Sequence, residues 1–267
     1  MSAWSLLGSG LTIGAGVALG LPLAVYLLQG SLIFHPQPLE RSHAEAITRL
    51  AYVERVFIRS ADDVRLHAWH VKGVQEAPLV IYFGGNAEGV WWMIEQARRH
   101  TPGLNWLLVD YRGYGGSEGS PSEAALAADA LAWHDKFLHS SKTIFVFGRS
   151  LGSAVAVQLA AHRPVAGAIL VAPFDSMNAL AKRYYPYLPV DLMLKHRFDS
   201  VALAPKIAAP MLCIVAGQDE VIPVEHARRL YEAWGGRKQW VELAGATHNS
   251  TDDHAEFWPS ISAFLTP

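Results

Sequence analysis

The pentapeptide Gly148-Arg149-Ser150-Leu151-Gly152 constrains the fold of this chain more than any other feature. The apolar residues 143–147 before it predict a strand, and the small residues 153–161 after it predict a helix. A serine between two glycines at such a turn is the pattern of a nucleophile elbow. The glycines remove Cβ atoms that would collide there, so Ser150 would lie exposed above a helix N-terminus. The motif predicts a nucleophilic serine, and the alternative is a tight turn with a structural role only.

A nucleophilic serine needs a base and an acid, and in this chain order both should follow it at strand ends. Asp219 comes shortly after the apolar run 210–216, and His248 lies in the loop after a predicted strand at 238–243. His248 would take the serine proton and later return it to the leaving group, while Asp219 would orient the imidazole ring. We therefore predict a catalytic triad of Ser150, Asp219 and His248.

Other residues compete for two of these roles. Asp175 follows the next predicted strand after the serine, a position where some enzymes of this kind carry the acid. Glu220 is interpreted as a solvated neighbour of the preferred acid. His196 and His254 are further histidines of the C-terminal half, and His254 is predicted to lie at the start of the last helix.

The glycine-rich loop after the predicted strand 79–83 is a candidate oxyanion hole. Gly84 and Gly85 would let backbone N–H groups approach a substrate oxygen closely. The two donors would be the backbone amides of Asn86 and Leu151, because one donor normally comes from this loop and one follows the nucleophile. The alternative is an ordinary turn from a strand to a helix.

These motifs together resemble the membrane-anchored α/β-hydrolase-domain (ABHD-type) serine hydrolases of the α/β-hydrolase superfamily. The resemblance covers roughly residues 30–265, although relatives usually have His-Gly-Asn where this chain has Gly84-Gly85-Asn86. It implies an α/β-hydrolase fold, with a mostly parallel central sheet flanked by helices and a short cap insertion. The matching segments are 83–87, 110–115, 148–152, 217–220 and 247–249.

The resemblance also implies a reaction class. Serine at the nucleophile position, where dehalogenases and epoxide hydrolases of this fold carry aspartate, favours an acyl-enzyme and hydrolysis of an ester or thioester. A lipid-like or acylated small-molecule substrate is expected, and no cofactor or metal. The alternatives are a peptidase-like amide hydrolase of the same fold and an anchored, non-catalytic binding or scaffold protein.

The N-terminal segment predicts a membrane anchor. No Asp, Glu, Lys or Arg precedes Glu40, and residues 6–28 are apolar or small except for Ser9 and Thr12. A membrane-spanning helix needs about 20 such residues. We expect a single-pass anchor at 1–30, with a cleaved signal peptide or a buried helix as the alternatives. The sequence leaves the side of the membrane open, because the nearest basic residue, Arg41, lies outside this segment.

The rest of the chain is expected to be a linker at 31–51 and one hydrolase domain at 52–267. Strands alternate with helices after residue 79, which indicates a mostly parallel sheet. Residues 178–209 are too long for a simple connection and are predicted to form a small cap, in which Tyr184 and Tyr185 would contact substrate. The formal net charge of −2 gives no reason to expect nucleic-acid binding, and the oligomeric state stays open.

Two local predictions concern helix ends. Residues 120–123, Ser-Pro-Ser-Glu, have the pattern of a capping box, which predicts a helix from Pro121 to about Leu138. The apolar positions near the C-terminus predict a last helix, in which Pro259 is expected to cause a kink or a break.

Overall fold

The computed structural model describes residue 20 and residues 22–266. Eight strands form one sheet, in which the two pairings at the N-terminal edge are antiparallel and all others are parallel. The predicted mostly parallel sheet is therefore confirmed. The strands are β1 (Val53–Arg59), β2 (Arg65–Val71), β3 (Leu79–Phe83), β4 (Asn105–Val109), β5 (Ile144–Arg149), β6 (Gly167–Val171), β7 (Met211–Ala216) and β8 (Lys238–Leu243), in the spatial order β1-β2-β4-β3-β5-β6-β7-β8.

Helices connect the parallel strands and cover both faces of the sheet. Short 3-10 helices at Val90–Trp92, Ala204–Lys206 and Thr251–Asp253 supplement them. The helices are α1 (22–33), α2 (Arg41–Thr48), α3 (Met93–His100), α4 (Glu123–Phe137), α5 (Leu151–His162), α6 (Met177–Tyr184), α7 (Val190–Met193), α8 (Ser200–Leu203), α9 (Val224–Ala233) and α10 (Phe257–Leu265).

The central strands are almost entirely apolar, as is usual where helices bury both faces of a sheet. Along β3, Leu79, Ile81 and Phe83 join a core with α4, α5 and α9, whereas Val80 and Tyr82 join a second core with α3 and α10. This alternation is the two-residue period of a strand. Packing on both faces holds β3, β5 and β7 in place, and the oxyanion loop, Ser150 and Asp219 follow the C-terminal ends of these three strands.

The predicted capping box at 120–123 is wrong. The helix begins at Glu123, and its N-cap is Ser122, whose side chain accepts a hydrogen bond from the backbone N–H of Ala125 at 3.2 Å. The Glu123 carboxylate accepts the backbone N–H groups of Arg197 (2.7 Å) and Phe198 (2.8 Å) instead. The acidic residue thus binds a distant loop and not its own helix end.

The expected break at Pro259 is also wrong. The last helix, α10, runs continuously, and Pro259 is its third residue. The N–H groups of the first turn have no acceptor within the helix, so a proline there removes no hydrogen bond. His254 precedes α10 and follows a 3-10 helix, so its predicted position inside the last helix is wrong as well.

Most of the predicted anchor lies outside the described residues. Within residue 20 and residues 22–266, no helix combines the length and the apolar character that crossing a membrane requires. Residues 22–33, the end of that segment and the start of the predicted linker, form α1. The linker also contains a helix that the sequence did not indicate, α2, which buries Ile47 against the domain.

Candidate active site

The turn around Ser150 has the strained geometry that the motif predicts. Ser150 lies between β5 and α5 with φ 51° and ψ −116°, a conformation that costs a non-glycine residue about 1–3 kcal/mol. A Cβ on Gly148 would lie 2.2 Å from the carbonyl oxygen of Gly152, and one on Gly152 would lie 2.0 Å from that of Phe83. Both glycines are therefore required by close packing. The backbone N–H of Ser150 donates to the carbonyl of Val171 at 2.9 Å, which fixes the turn to β6.

The structure brings Ser150, His248 and Asp219 into one hydrogen-bonded chain. His248 Nε2 lies 3.0 Å from Ser150 Oγ, and His248 Nδ1 lies 2.8 Å from Asp219 Oδ2. The Asp219 side chain is 1% exposed and that of His248 is 9% exposed, so bulk water hardly competes for these bonds. Asp219 Oδ1 also accepts the backbone N–H groups of Val221 (2.9 Å) and Ile222 (2.7 Å). This geometry can move a proton from the serine to the imidazole while the carboxylate stays fixed.

The rival acid, Asp175, is bound elsewhere. Its carboxylate lies 2.7 Å from Nδ1 of the buried His226 and accepts a hydrogen bond from Arg229 Nε at 2.5 Å. It also accepts the backbone N–H of Ser176 at 2.7 Å. In the described part of the chain, no hydrogen bond joins Asp175 to His248. Its contacts are those of a buried structural carboxylate.

The remaining rivals do not approach the serine as a base would. His196 packs edge-on against Phe34, with 5.2 Å between ring centres, and burial lowers its pKa. His254 is partly exposed, and no hydrogen bond joins it to Ser150 among the residues that the structure describes. Glu220 is exposed, yet one carboxylate oxygen accepts the backbone N–H of His248 at 3.3 Å.

The predicted oxyanion loop lies beside the serine. A Cβ on Gly85 would be 3.7 Å from Ser150 Cβ, and the Gly84 carbonyl accepts the hydroxyl of Tyr111 at 2.8 Å. Leu151 is the first residue of α5, so its N–H has no acceptor within the helix. Neither this N–H nor that of Asn86 donates a hydrogen bond within residues 22–266. Both are thus available as donors, and their role as an oxyanion hole stays a prediction.

A buried glutamate that the sequence did not single out holds this loop. Glu88 Oε1 accepts the Tyr82 hydroxyl (2.5 Å) and Trp92 Nε1 (2.8 Å), and Glu88 Oε2 accepts the backbone N–H of Gly85 (2.7 Å). Burial and the nearby Glu88 carboxylate raise the pKa of Tyr82 well above its ordinary value, so the phenol remains a donor. Arg149 lies 3.9 Å from Glu88, and both side chains are largely buried. The only signal in the sequence is that Glu88 directly follows the loop.

We expect Glu88→Gln to lower kcat by about 10- to 100-fold with little change in KM. The amide has one acceptor oxygen in place of two, so at least one of the three N–H or O–H donors loses its partner and the loop shifts. The expected loss lies below the 10²–10³-fold caused by removing an oxyanion donor outright. Steady-state kinetics on a soluble ester measures both parameters. Glu95→Gln is the matched control, because Glu95 lies on the exposed face of α3 and pairs there with Arg99. An equal effect of both changes would contradict the positioning role.

A mainly apolar cleft lies between α1, α6 and α7. Its volume is about 450 Å³, and of the four predicted substrate-binding residues Tyr184 and Tyr185 line it, whereas Gly84 and Gly85 do not. Asn86 lines it as well, whereas Ser150 does not, so the cleft reaches the oxyanion loop and not the nucleophile. The Tyr184 hydroxyl donates to the carbonyl of Val221 at 2.9 Å. The further lining residues are Val25, Tyr26, Gln29, Leu32, Ile33, Met177, Leu180, Ala181, Tyr187, Leu188, Val190, Met193 and Leu194.

Potential metal ligands do not cluster in the part of the chain that the structure describes. Among residue 20 and residues 22–266, no group of three or more His, Cys, Asp or Glu side chains could hold a metal ion. Cys213 is buried in β7, and burial raises the pKa of its thiol.

Comparison with known proteins identifies close relatives. A family model described as "Serine hydrolase" matches residues 126–267, more than half of the chain. An uncharacterized protein of Mycobacterium tuberculosis is 35% identical over 95% of this chain and 93% of its own length. The alpha/beta hydrolase domain-containing protein WAV2 of Arabidopsis thaliana is 30% identical over 97% of this chain and 92% of its own. A protein of Saccharomyces cerevisiae, named an uncharacterized membrane protein, is 31% identical over 79% of each chain.

Solved structures identify the fold. The alpha/beta hydrolase GrgF from a Penicillium species superposes with a TM-score of 0.67 at 19% identity, covering 80% of this chain and 97% of that chain. At this identity the likeness concerns the fold alone. The predicted α/β-hydrolase fold is therefore confirmed.

Proposed function

The chain belongs to the serine hydrolase family, and from this premise we propose that it cleaves a carboxylic ester or thioester through Ser150, His248 and Asp219. One observation carries the proposal: His248 bridges Ser150 Oγ at 3.0 Å and Asp219 Oδ2 at 2.8 Å. A serine hydroxyl is a poor nucleophile near neutral pH, and a base within hydrogen-bond distance is what activates it. The strained conformation of Ser150 supports the same role, because strain of this kind clusters at functional sites.

In the proposed reaction Ser150 Oγ attacks the substrate carbonyl carbon while His248 Nε2 takes the serine proton. The tetrahedral intermediate collapses, the bond to the leaving group breaks, and His248 gives its proton to the departing alcohol or thiol. Water, activated by His248, then attacks the acyl-enzyme and releases the acid and free Ser150. Asp219 keeps the imidazole in one orientation and stabilises its protonated form.

The negative charge on the intermediate would be bound by the backbone N–H groups of Asn86 and Leu151. The positive end of α5 adds to this stabilisation. Because the Gly85 N–H donates to Glu88, the next amide along the loop is the one left for the substrate. Two donors in a site shielded from water stabilise an oxyanion strongly, since removing one typically costs about 2.7–4 kcal/mol.

A reactive serine can be tested with a fluorescent fluorophosphonate probe, which phosphonylates activated serines. We expect the full chain to be labelled, Ser150→Ala to lose all labelling, and His248→Ala to be labelled far more slowly because the base is missing. Ser140→Ala is the matched serine control and should be labelled like the parent, because the exposed Ser140 hydroxyl donates to the Phe137 carbonyl at the end of α4. Absence of labelling in the folded parent, or labelling that survives Ser150→Ala, would contradict the proposal.

We also propose that the N-terminal segment attaches the enzyme to a membrane and that its substrate is lipid-like or acylated. Support comes from the uncharged run at 6–28, from the name of the yeast relative, and from α1, where Leu23, Leu27, Leu28 and Leu32 are each 58–65% exposed. Several exposed leucines on one helix are typical of a surface that an apolar environment, such as a membrane, covers.

Carbonate extraction of membranes from cells expressing the full chain tests this attachment. Alkaline carbonate releases peripheral proteins and leaves embedded ones, so the chain is expected to stay with the membrane pellet. Recovery of the chain in the supernatant, with an authentic integral protein still in the pellet, would contradict the attachment. That outcome would leave the serine chemistry untouched.

A further inference from the structure

We propose that the cleft between α1, α6 and α7 binds the acyl chain of the substrate, and that α1 is one wall of this binding site. The N-terminal helix would then determine substrate specificity as well as location. The inference rests on the proposed function, because an acyl site has meaning only beside an acyl-transferring serine. It adds a substrate-binding role for residues 22–33, for which the sequence predicts the end of an anchor and the start of a linker.

The chemistry of the cleft suits an acyl chain. Within the part of the chain that the structure describes, no Asp, Glu, Lys or Arg side chain lines it. Its volume of about 450 Å³ lies in the range of about 300–1,000 Å³ that is usual for small-molecule sites. A charged or strongly polar group would lose its hydration there without gaining a partner. A methylene chain would instead gain about 0.8 kcal/mol for each buried CH₂.

One end of the cleft is tied to the oxyanion loop. Asn86, whose backbone N–H would bind the oxyanion, donates from its side chain to the carbonyl of Ile33 at 2.5 Å. Its side-chain oxygen accepts the backbone N–H of His35 at 2.9 Å and the hydroxyl of Tyr114 at 2.8 Å. The C-terminal end of α1 is therefore held against the residue at which the substrate carbonyl would lie. A chain that leaves this carbonyl would reach the cleft past Asn86, which belongs to both the loop and the cleft lining.

The middle of α1 is hydrogen-bonded to α7 and the segment after it through a buried glutamine side chain. Gln29 is 5% exposed; its Nε2 donates to the carbonyls of Met193 (3.1 Å) and Tyr26 (2.9 Å), and its Oε1 accepts the backbone N–H of Lys195 at 2.7 Å. The Lys195 ammonium lies 4.0 Å from the centre of the Tyr26 ring. Both N–H groups of the Gln29 amide thus have an acceptor, and its oxygen has a donor. A helix serving only as a tether needs no such buried bond, since its polar groups could face water.

The test compares p-nitrophenyl laurate with p-nitrophenyl acetate in the same detergent micelles. The parent is expected to have a higher kcat/KM for laurate. Ala181→Trp fills the cleft from α6 and is expected to lower the laurate-to-acetate ratio of kcat/KM at least about tenfold, as loss of an apolar binding pocket does. Leu192→Trp on α7 is the matched control, because Leu192 is 85% exposed and does not line the cleft; its ratio should stay at the parent value.

Gln29→Leu tests the wall itself, since leucine keeps the bulk and removes the bonds to Met193 and Lys195. A fall in the laurate-to-acetate ratio is expected here too. Fluorophosphonate labelling, which needs no acyl chain, reports for each variant whether the reactive serine is intact. If Ala181→Trp is not labelled because it misfolds, Gln29→Leu decides.

The outcomes separate the two proposals. A labelled parent that does not prefer laurate, or labelled variants that keep the parent ratio, would overturn the acyl site and leave the serine hydrolase chemistry standing. A folded parent that is not labelled would overturn the proposed function itself. A ratio that falls in Ala181→Trp and Gln29→Leu, but not in Leu192→Trp, would support the cleft as the acyl site.

Discussion

Replacing either Ser150 or His248 with alanine is expected to lower kcat for ester hydrolysis by about a million-fold, and replacing both is expected to lower it no further. Residues of a triad act as one unit, so that losing either member removes nearly all of their joint effect. The 3.0 Å contact between Ser150 Oγ and His248 Nε2 is the physical basis of this coupling. Single-turnover and steady-state kinetics of the two single variants and the double variant measure it.

His254→Ala provides the control for this experiment. His254 is the rival histidine of the same loop region and is not hydrogen-bonded to Ser150 in the described residues, so its kcat should stay within about twofold of the parent, as for surface changes away from a site. Single losses that multiply in the double variant would mean that Ser150 and His248 act independently. That result would contradict the proposed proton relay.

The candidate site could be proposed from the sequence because the residues that define it are local. Gly148 and Gly152 flank Ser150 within one turn, and the structure explains both glycines by backbone contacts that a Cβ would break. The acid and the base each follow a predicted strand, and parallel strands bring such ends to one edge of a sheet. For this reason Asp219 and His248 could be placed by chain order alone.

The groups that support the site could not be predicted, because their partners are distant along the chain. Gln29 binds the backbone at Met193 and Lys195, more than 160 residues away, and no periodic pattern records such a pair. The capping role predicted for Glu123 is wrong for the same reason, because its carboxylate accepts two backbone N–H groups of the segment after α7. Sequence patterns predict secondary-structure elements and motifs. The hydrogen-bond partner of a polar side chain depends instead on the tertiary structure.

For Asp219→Asn, which leaves both Ser150 and His248 in place, we expect a loss in kcat of about 10⁴-fold. Asparagine keeps Oδ1, so the N–H groups of Val221 and Ile222, at 2.9 and 2.7 Å, retain their acceptor. The NH₂ group would then face His248 Nδ1, which must become the acceptor. The imidazole proton moves to Nε2, which can no longer accept the proton of Ser150. The same wrong tautomer accounts for the 10⁴-fold loss in a serine protease of known mechanism.

Asp175→Asn is the matched change at the rival acid. Its carboxylate contacts His226, Arg229 and the N–H of Ser176, all away from His248. We expect kcat to stay near the parent value, while the free energy of unfolding falls by about 1–3 kcal/mol because a buried partner is lost. Urea unfolding and ester kinetics on both variants measure the two quantities. If Asp175→Asn lost activity and Asp219→Asn kept it, the acid would be Asp175. We expect the opposite result, because the Asp219 carboxylate holds the imidazole of His248 at 2.8 Å in a contact that is shielded from water.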